Sequence, residues 1–433
     1  MSVKQKGISG VKWTSFSTIV LAVVAIVKVS ILTRILNIGD FGLIALVTFI
    51  LGVISIFIDL GLPSAILHKQ EISKNEYSSL FFLNIFFSGL MFLVLVVLTP
   101  VFSTFYDEVE LLNLVPITAI GLIINALGSQ QRIVEQKELN FRLLAIVEIC
   151  SSVISLGVAT IMALDGYGVY ALVYSNLIFI TITSLFYFSR GLFFKRLIFH
   201  FRLSDVKSFL KIGVFNIGGQ VINYFTKEMD VLIIGKFFGK DILGGYSLAK
   251  QLLSRPLAVI RPVVMKVASP ILAKIQNNKD ELASNYLTIV NIVSAISFPV
   301  FIGFALFADF IVFILYGDNY GEIVPFVRIL SIYTFFVSVR IPLGTLIIAT
   351  GKTHLEFYWF LVTSILTFGA IIFGVSYGPA GAAWALSLSM VLFYIPMWRY
   401  IIQKLISVSL VKYVKAHIPN YLTLYNLMTS SKK

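Results

Sequence analysis

The chain has 433 residues, 58% of them hydrophobic and only 13% charged, with a mean hydropathy of +0.93. Water-soluble domains carry about 25% charged residues, so a soluble globular fold is excluded and the chain reads as an all-α polytopic membrane protein. The formal net charge of +13 comes from Lys and Arg blocks alternating with apolar runs, as the positive-inside rule produces, and this excludes a nucleic-acid partner.

A crossing helix takes about 20 mostly apolar residues, and that length yields twelve spans. The first six are Trp13–Leu36, Phe41–Leu62, Ser79–Phe102, Leu112–Ser129, Leu143–Leu164 and Tyr167–Phe188. The next six are Phe209–Ile234, Leu243–Met265, Tyr286–Ala308, Ile323–Ala349, Phe357–Val375 and Ala380–Ile402. The N-terminus is basic and apolar like a signal peptide, but its run is long, holds Lys28 and Arg34 and lacks a small-residue cleavage site, so it is expected to remain as the first span. Residues 190–207, RGLFFKRLIFHFRLSDVK, are too basic to span and too apolar for a free linker, which suits an interfacial segment. The expected organisation is therefore a six-helix lobe over 1–188, a basic cytoplasmic linker over 189–208, a second six-helix lobe over 209–402 and a basic tail over 403–433.

Lys and Arg accumulate in loops that stay cytoplasmic. Placing the N-terminus, 63–78, 130–142, 189–211, 270–285, 350–356 and the tail after Trp398 on one side collects 23 of the 34 Lys and Arg. The loops at 37–40, 103–111, 165–166, 309–322 and 376–379 hold none. Both termini are thus expected in the cytoplasm.

The halves repeat. ILTRILNIGDFG (Ile31–Gly42) aligns with IIGKFFGKDILG (Ile233–Gly244), and DGYGVYALVYSNL (Asp165–Leu177) with YGPAGAAWALSLS (Tyr377–Ser389). Six spans per half give parallel repeats related by an axis along the membrane normal, and two lobes around a central cavity.

Charges inside the spans mark the candidate site, because such residues usually face a bundle interior or a watery cavity. They concentrate in Asn223–Pro262, which carries six basic and three acidic residues. Lys28, near the middle of the first span, reads as cavity-facing, with a pair to Glu148 as the structural alternative. Lys227 and Asp230, one helical turn apart, fit either a mutual ion pair or an ion-coupling role. Lys250 and Arg261 share a helix face, Arg255 lies about 140° away, and Arg328 and Arg340 project together from the tenth span. The eighth and tenth spans hold no acidic residue, so these five cations are expected to lack local partners and to meet an anionic solute.

No Walker A, GxSxG, HExxH or EF-hand pattern occurs, which leaves hydrolytic and ATP-driven mechanisms without residues. Cys150 has no second cysteine, and His68, His200, His354 and His417 are not paired at metal-ligand spacing, so no catalytic residue, metal or cofactor is expected.

Against this background, FTKEMDVLIIGKFFGKDILGGYSLAKQLLSRPL, together with LNIGDFGL after the first span and GKTHLEF before the eleventh, resembles bacterial polysaccharide flippases. These are the Wzx-type transporters of the MOP superfamily, alongside multidrug and toxin extrusion (MATE) proteins and lipid II flippases. The resemblance covers nearly the whole chain. It implies a MATE-like pair of lobes around a V-shaped cavity in the bacterial inner membrane. It implies export of an undecaprenyl-diphosphate-linked repeat unit for O-antigen, capsule or exopolysaccharide, with cations at Lys28, Arg255 and Arg261 meeting the diphosphate. The implied partners are that lipid-linked oligosaccharide, membrane lipids, and polysaccharide polymerase and chain-length proteins. The two additional C-terminal helices of many superfamily members have no counterpart in the sequence. A MATE-like cation antiporter is the competing reading, disfavoured because the unpaired charges are mainly basic. A membrane polymerase or ligase is disfavoured by outward loops of about a dozen residues.

Overall fold

The computed structural model describes residues 3–59, 66, 69, 72–194 and 197–421. All regular structure among them is helical. In order, the helices are α1 (Val3–Leu32), α2 (Ile38–Asp59), α3 (Lys74–Tyr106), α4 (Leu111–Lys137), α5 (Phe141–Leu164), α6 (Val169–Phe193) and α7 (Leu203–Lys274). There follow α8 (Lys279–Leu306), α9 (Ala308–Tyr316), α10 (Val324–Val339), α11 (Ile341–Thr350), α12 (Thr353–Val375) and α13 (Gly378–Leu392). A short π turn at Trp398–Ile402 leads on to α14 (Leu410–His417).

Eleven helices among the described residues are long and apolar enough to cross a membrane, where the sequence suggests twelve spans. The difference lies in α7, which joins the expected seventh and eighth spans. Its apolar stretch Gly218–Lys274 would run about 85 Å as a straight helix against a hydrocarbon core of about 30 Å. At Gly239 the backbone turns to φ 76, ψ −178, a region closed to side chains with a Cβ, and α7 breaks there into two crossing limbs. A second break, at Arg340 between α10 and α11, interrupts the expected tenth span.

The described chain forms two compact units, residues 1–244 and 245–433, so the first limb of α7 packs with α1–α6. In unit 1, α4 packs between α3 and α6, and α1 lies against α5. A Cβ on Gly128 would sit 2.5 Å from the Ser184 Cα, so α4 and α6 meet nearly backbone to backbone. Small residues permit such closeness where water supplies no driving force and helices associate by packing. The start of α3 is fixed by a capping box, in which Ser73 accepts from the Glu76 N–H and Glu76 accepts from the Ser73 N–H. Beyond α6, residues 197–202 are not helical. They fold back on α3, where the Ile198 and Arg202 N–H groups donate to the Ser78 and Ser79 hydroxyls. Asp205, hydrogen-bonded to His200 at 2.9 Å, is held below the usual carboxylate range by that contact, and Phe199 is fully exposed.

In unit 2, α8 packs on α10, α10 on α13 and α12 on α13, the last pair through reciprocal close approach of Gly374 and Gly381. The amphipathic α14 is capped by Ser409 and held on α8, because Asn291 donates to the Ala416 and Ile418 carbonyls and Ser294 to that of His417. His417 is edge-on to Tyr394 and Tyr413, and burial pushes its imidazole down to about 4. It therefore stays neutral down through the range around pH 6.5 in which a solvated histidine takes up its proton. Large apolar side chains such as Val97, Phe310 and Ile365 are more than half exposed. Lipid, not water, is the medium that such a surface fits.

Candidate functional site

The repeat read from the sequence meets itself in space. Gly42 and Gly244, aligned eight positions after Arg34 and Lys236, pack against each other. A Cβ on Gly42 would lie 1.8 Å from the Lys240 carbonyl oxygen, and one on Gly244 would lie 2.0 Å from that of Ile38. Around this crossing, Lys240 forms ion pairs of 2.9 Å with both Glu108 and Glu110, and Lys236 reaches Asp107 at 3.2 Å. The hydrogen bond from Lys240 holds the Glu110 carboxyl below its ordinary value. The acidic loop between α3 and α4 is thus tied to the Gly239 break by two lysines that lie outside the loops counted for orientation.

Lys28 is half-buried on α1 and donates to Ser155 Oγ at 3.0 Å and Ser175 Oγ at 2.8 Å, while Ser155 Oγ donates to the Ser175 carbonyl at 2.7 Å. The alternative pair with Glu148 does not form. Glu148 instead accepts from Arg132, whose Nε lies at 3.2 Å. Hydroxyls satisfy donors without neutralising charge, and Lys28 has no carboxylate partner among the described residues. On the first limb of α7, Asp230 is only 2% exposed and Lys227 points to an exposed face.

The second limb of α7 carries Lys250 and Arg255, both half-buried, and Arg261, which is exposed. Arg255 makes no hydrogen bond or ion pair with any described residue. It interacts electrostatically with Tyr316, whose hydroxyl donates to the Leu248 carbonyl at 3.3 Å. Arg328, expected to lack a partner, is ion-paired with Asp309, and both side chains are more than half exposed. The expectation failed because Asp309 sits in the first turn of α9, outside the tenth span. Arg340 likewise does not project with Arg328. It sits at the α10–α11 break, stacks on Phe360 at 5.4 Å and shares a cavity with Arg261 and Glu356.

Glu356 enters from the first turn of α12, outside both the eighth and the tenth spans. Another omission is the buried network in which Arg190 donates to Glu135 at 2.9 Å and Glu135 also accepts from Gln131. The only sequence signal for it was the polar run QQRIVEQ at the end of α4.

Eleven described helices long and apolar enough to cross a membrane, with charged side chains within both units, define a multi-crossing all-α membrane fold. Residues 31–325 match a family described as polysaccharide biosynthesis protein, and the chain belongs to that family. It is similar to the Lipopolysaccharide biosynthesis protein WzxC of Escherichia coli (strain K12), 26% identical over 99% of this chain and 88% of the relative. Among solved structures, the lipid II flippase MurJ in an inward closed conformation has a TM-score of 0.72 at 17% identity, covering 98% of this chain and 92% of MurJ. An inward-facing MATE family transporter of the MOP superfamily has a TM-score of 0.69 at 14% identity, covering 89% and 94%. The chain therefore shares the fold of these two transporters.

Proposed function

We propose that the protein is a transporter, not an enzyme, and that it carries a lipid-linked oligosaccharide, through its diphosphate, across the cytoplasmic membrane by alternating access of two six-helix lobes. Membership of a polysaccharide biosynthesis family supplies the process. The observation that carries the chemistry is Arg255, a half-buried guanidinium with no hydrogen-bond or ion-pair partner among the described residues. Lys28, satisfied only by serine hydroxyls, adds a second un-neutralised charge. An exporter of cations would place carboxylates there instead. Reconstitution with a fluorescent polyprenyl-diphosphate oligosaccharide tests the reading. Wild-type protein should expose the label to an impermeant quencher faster than empty vesicles, and equal rates would refute it.

The orientation proposed from charge, with both termini cytoplasmic, is tested by cysteine labelling after replacing the exposed Cys150. Asn319 and Asn277 are both exposed, whereas Glu108 is tied to Lys240 and would report poorly. Asn319→Cys should react with an impermeant thiol reagent in intact cells and Asn277→Cys only after permeabilisation. The reverse pattern would invert the topology.

Lys227 and Asp230 keep both readings, a mutual pair and an ion-coupling role, and a double substitution separates them. For a mutual pair, Asp230→Asn should lower transport, because it leaves the Lys227 charge uncompensated. Lys227→Gln with Asp230→Asn should restore most of it. A double variant as defective as the single one would assign Asp230 a separate role, in ion coupling.

A further inference from the structure

Unit 2 contains a cavity of about 280 Å³ lined by Arg261, Arg340 and Glu356 with apolar walls from Met265, Ile347 and Trp359. These three charged groups do not neutralise one another by contact. Arg261 and Glu356 make no hydrogen bond or ion pair with a described residue. Arg340, apart from its stacking on Phe360, has only a long contact from Nη1 to Met390 Sδ at 3.9 Å. A guanidinium presents five donors in a planar fork suited to paired oxygens of a phosphate or carboxylate, so most of the donor capacity here faces the cavity unused. The net charge of the lining is +1, which matches a monoanionic phosphodiester better than a dianion. The free carboxylate of Glu356 is an acceptor for hydroxyls beside that phosphate.

Position narrows the ligand further. Glu356 sits in the first turn of α12, and Arg340 lies ten residues before the end of α11 at Thr350, so the cavity spans about the first 15 Å from the Gly351 turn at a span end. Ile348, which also lines it, is 58% exposed on the apolar surface, giving acyl or prenyl chains a path outward. The volume falls at the small end of ligand sites, about 300–1,000 Å³, enough for a head and not for an oligosaccharide. We infer that this cavity binds the head of a phosphodiester amphiphile, with Arg261 and Arg340 holding the phosphate oxygens and Glu356 accepting from a head-group hydroxyl. Such a head is offered both by bulk lipid, as phosphatidylglycerol, and by a polyprenyl-phosphoryl sugar. The site lies wholly within one unit and stands apart from the translocation reading, because its test measures binding and not transport.

The test uses the full-length protein in neutral detergent, titrated with phosphatidylglycerol, polyprenyl-phosphoryl glucose, phosphatidylmethanol or diacylglycerol. Thermal midpoint and native mass spectrometry of retained lipid are read together. One saturable site should respond to phosphatidylglycerol, to polyprenyl-phosphoryl glucose or to both, which identifies the source, and not to diacylglycerol. Arg340→Gln and Arg261→Gln should each weaken apparent affinity at least about tenfold, with partial retention by Arg340→Lys. Should Arg340→Gln fail to fold, the exposed Arg261 carries the reading. Glu356→Gln should remove the preference for phosphatidylglycerol over phosphatidylmethanol, which lacks the hydroxyls. Lys412→Gln with Lys415→Gln on α14 should leave the saturable site unchanged. An equal response to diacylglycerol, or loss from the α14 pair as large as from the arginines, would overturn the assignment.

Discussion

Gly42→Val and Gly244→Val are each expected to abolish translocation and to lower the thermal midpoint of the purified protein. At both positions the first added carbon meets backbone, the Lys240 carbonyl oxygen at 1.8 Å and the Ile38 carbonyl oxygen at 2.0 Å. A flexible side chain can swing aside from such a clash, whereas a helix backbone must shift as a whole. Overpacking of this kind costs about 1–3 kcal/mol where the surroundings adapt and more where they do not. The displacement would also pull Lys240 from Glu108 and Glu110, so the acidic loop loses its tie in the same step. Gly89→Ala and Gly157→Ala, where an added Cβ meets nothing within 4 Å, are the controls and should transport normally. Wild-type rates for Gly42→Val would show that the crossing tolerates separation, and would remove it from any role in transport.

That crossing shows what the sequence makes legible. The aligned segments Ile31–Gly42 and Ile233–Gly244 share an isoleucine, a basic residue and a glycine in register, and the two glycines touch. Crossing helices were also readable, since twenty apolar residues have few other uses. The merger of two spans into α7 was not, because Gly239 is one glycine among 29 and only its φ distinguishes it. The partners of the buried charges were the least legible. Lys28 is satisfied by serines 127 and 147 residues away, Arg132 reaches across to Glu148, and Arg340 faces a carboxylate from a different helix. A serine in a span carries no signal of its own, and a charge's own helix does not reveal which neighbour it will meet. Arg255 was identified from sequence as a cation without a local partner, and among the described residues it has no hydrogen bond or ion pair.

Arg255→Ala is expected to reduce translocation at least about tenfold at matched protein levels, whereas Arg328→Ala should stay within about twofold of wild type. The contrast follows from their surroundings. Arg328 is exposed and already paired with Asp309, and exposed pairs contribute about 0–1 kcal/mol. Arg255 has donors to give, and hydrogen bonds to charged groups are worth about 1.5–3 kcal/mol, where 1.4 kcal/mol is a factor of ten. Arg255→Lys should keep part of the rate, because it retains a point charge while losing the planar fork that grips two phosphate oxygens. The field across the membrane adds a second signature. On the proposed orientation, with both termini cytoplasmic, a diphosphate moving outward travels down the potential. Two negative charges crossing 100 mV release about 4–5 kcal/mol. The Arg255 cation would shield that charge, and the emptied, positive site would be drawn back toward the negative cytoplasm. Dissipating the potential in proteoliposomes should therefore slow the wild type several-fold and the Arg255→Ala variant proportionately less, since a site with less charge has less to be returned. Transport at the wild-type rate by Arg255→Ala, with or without a potential, would remove the guanidinium from the pathway and leave Lys28 as the remaining candidate.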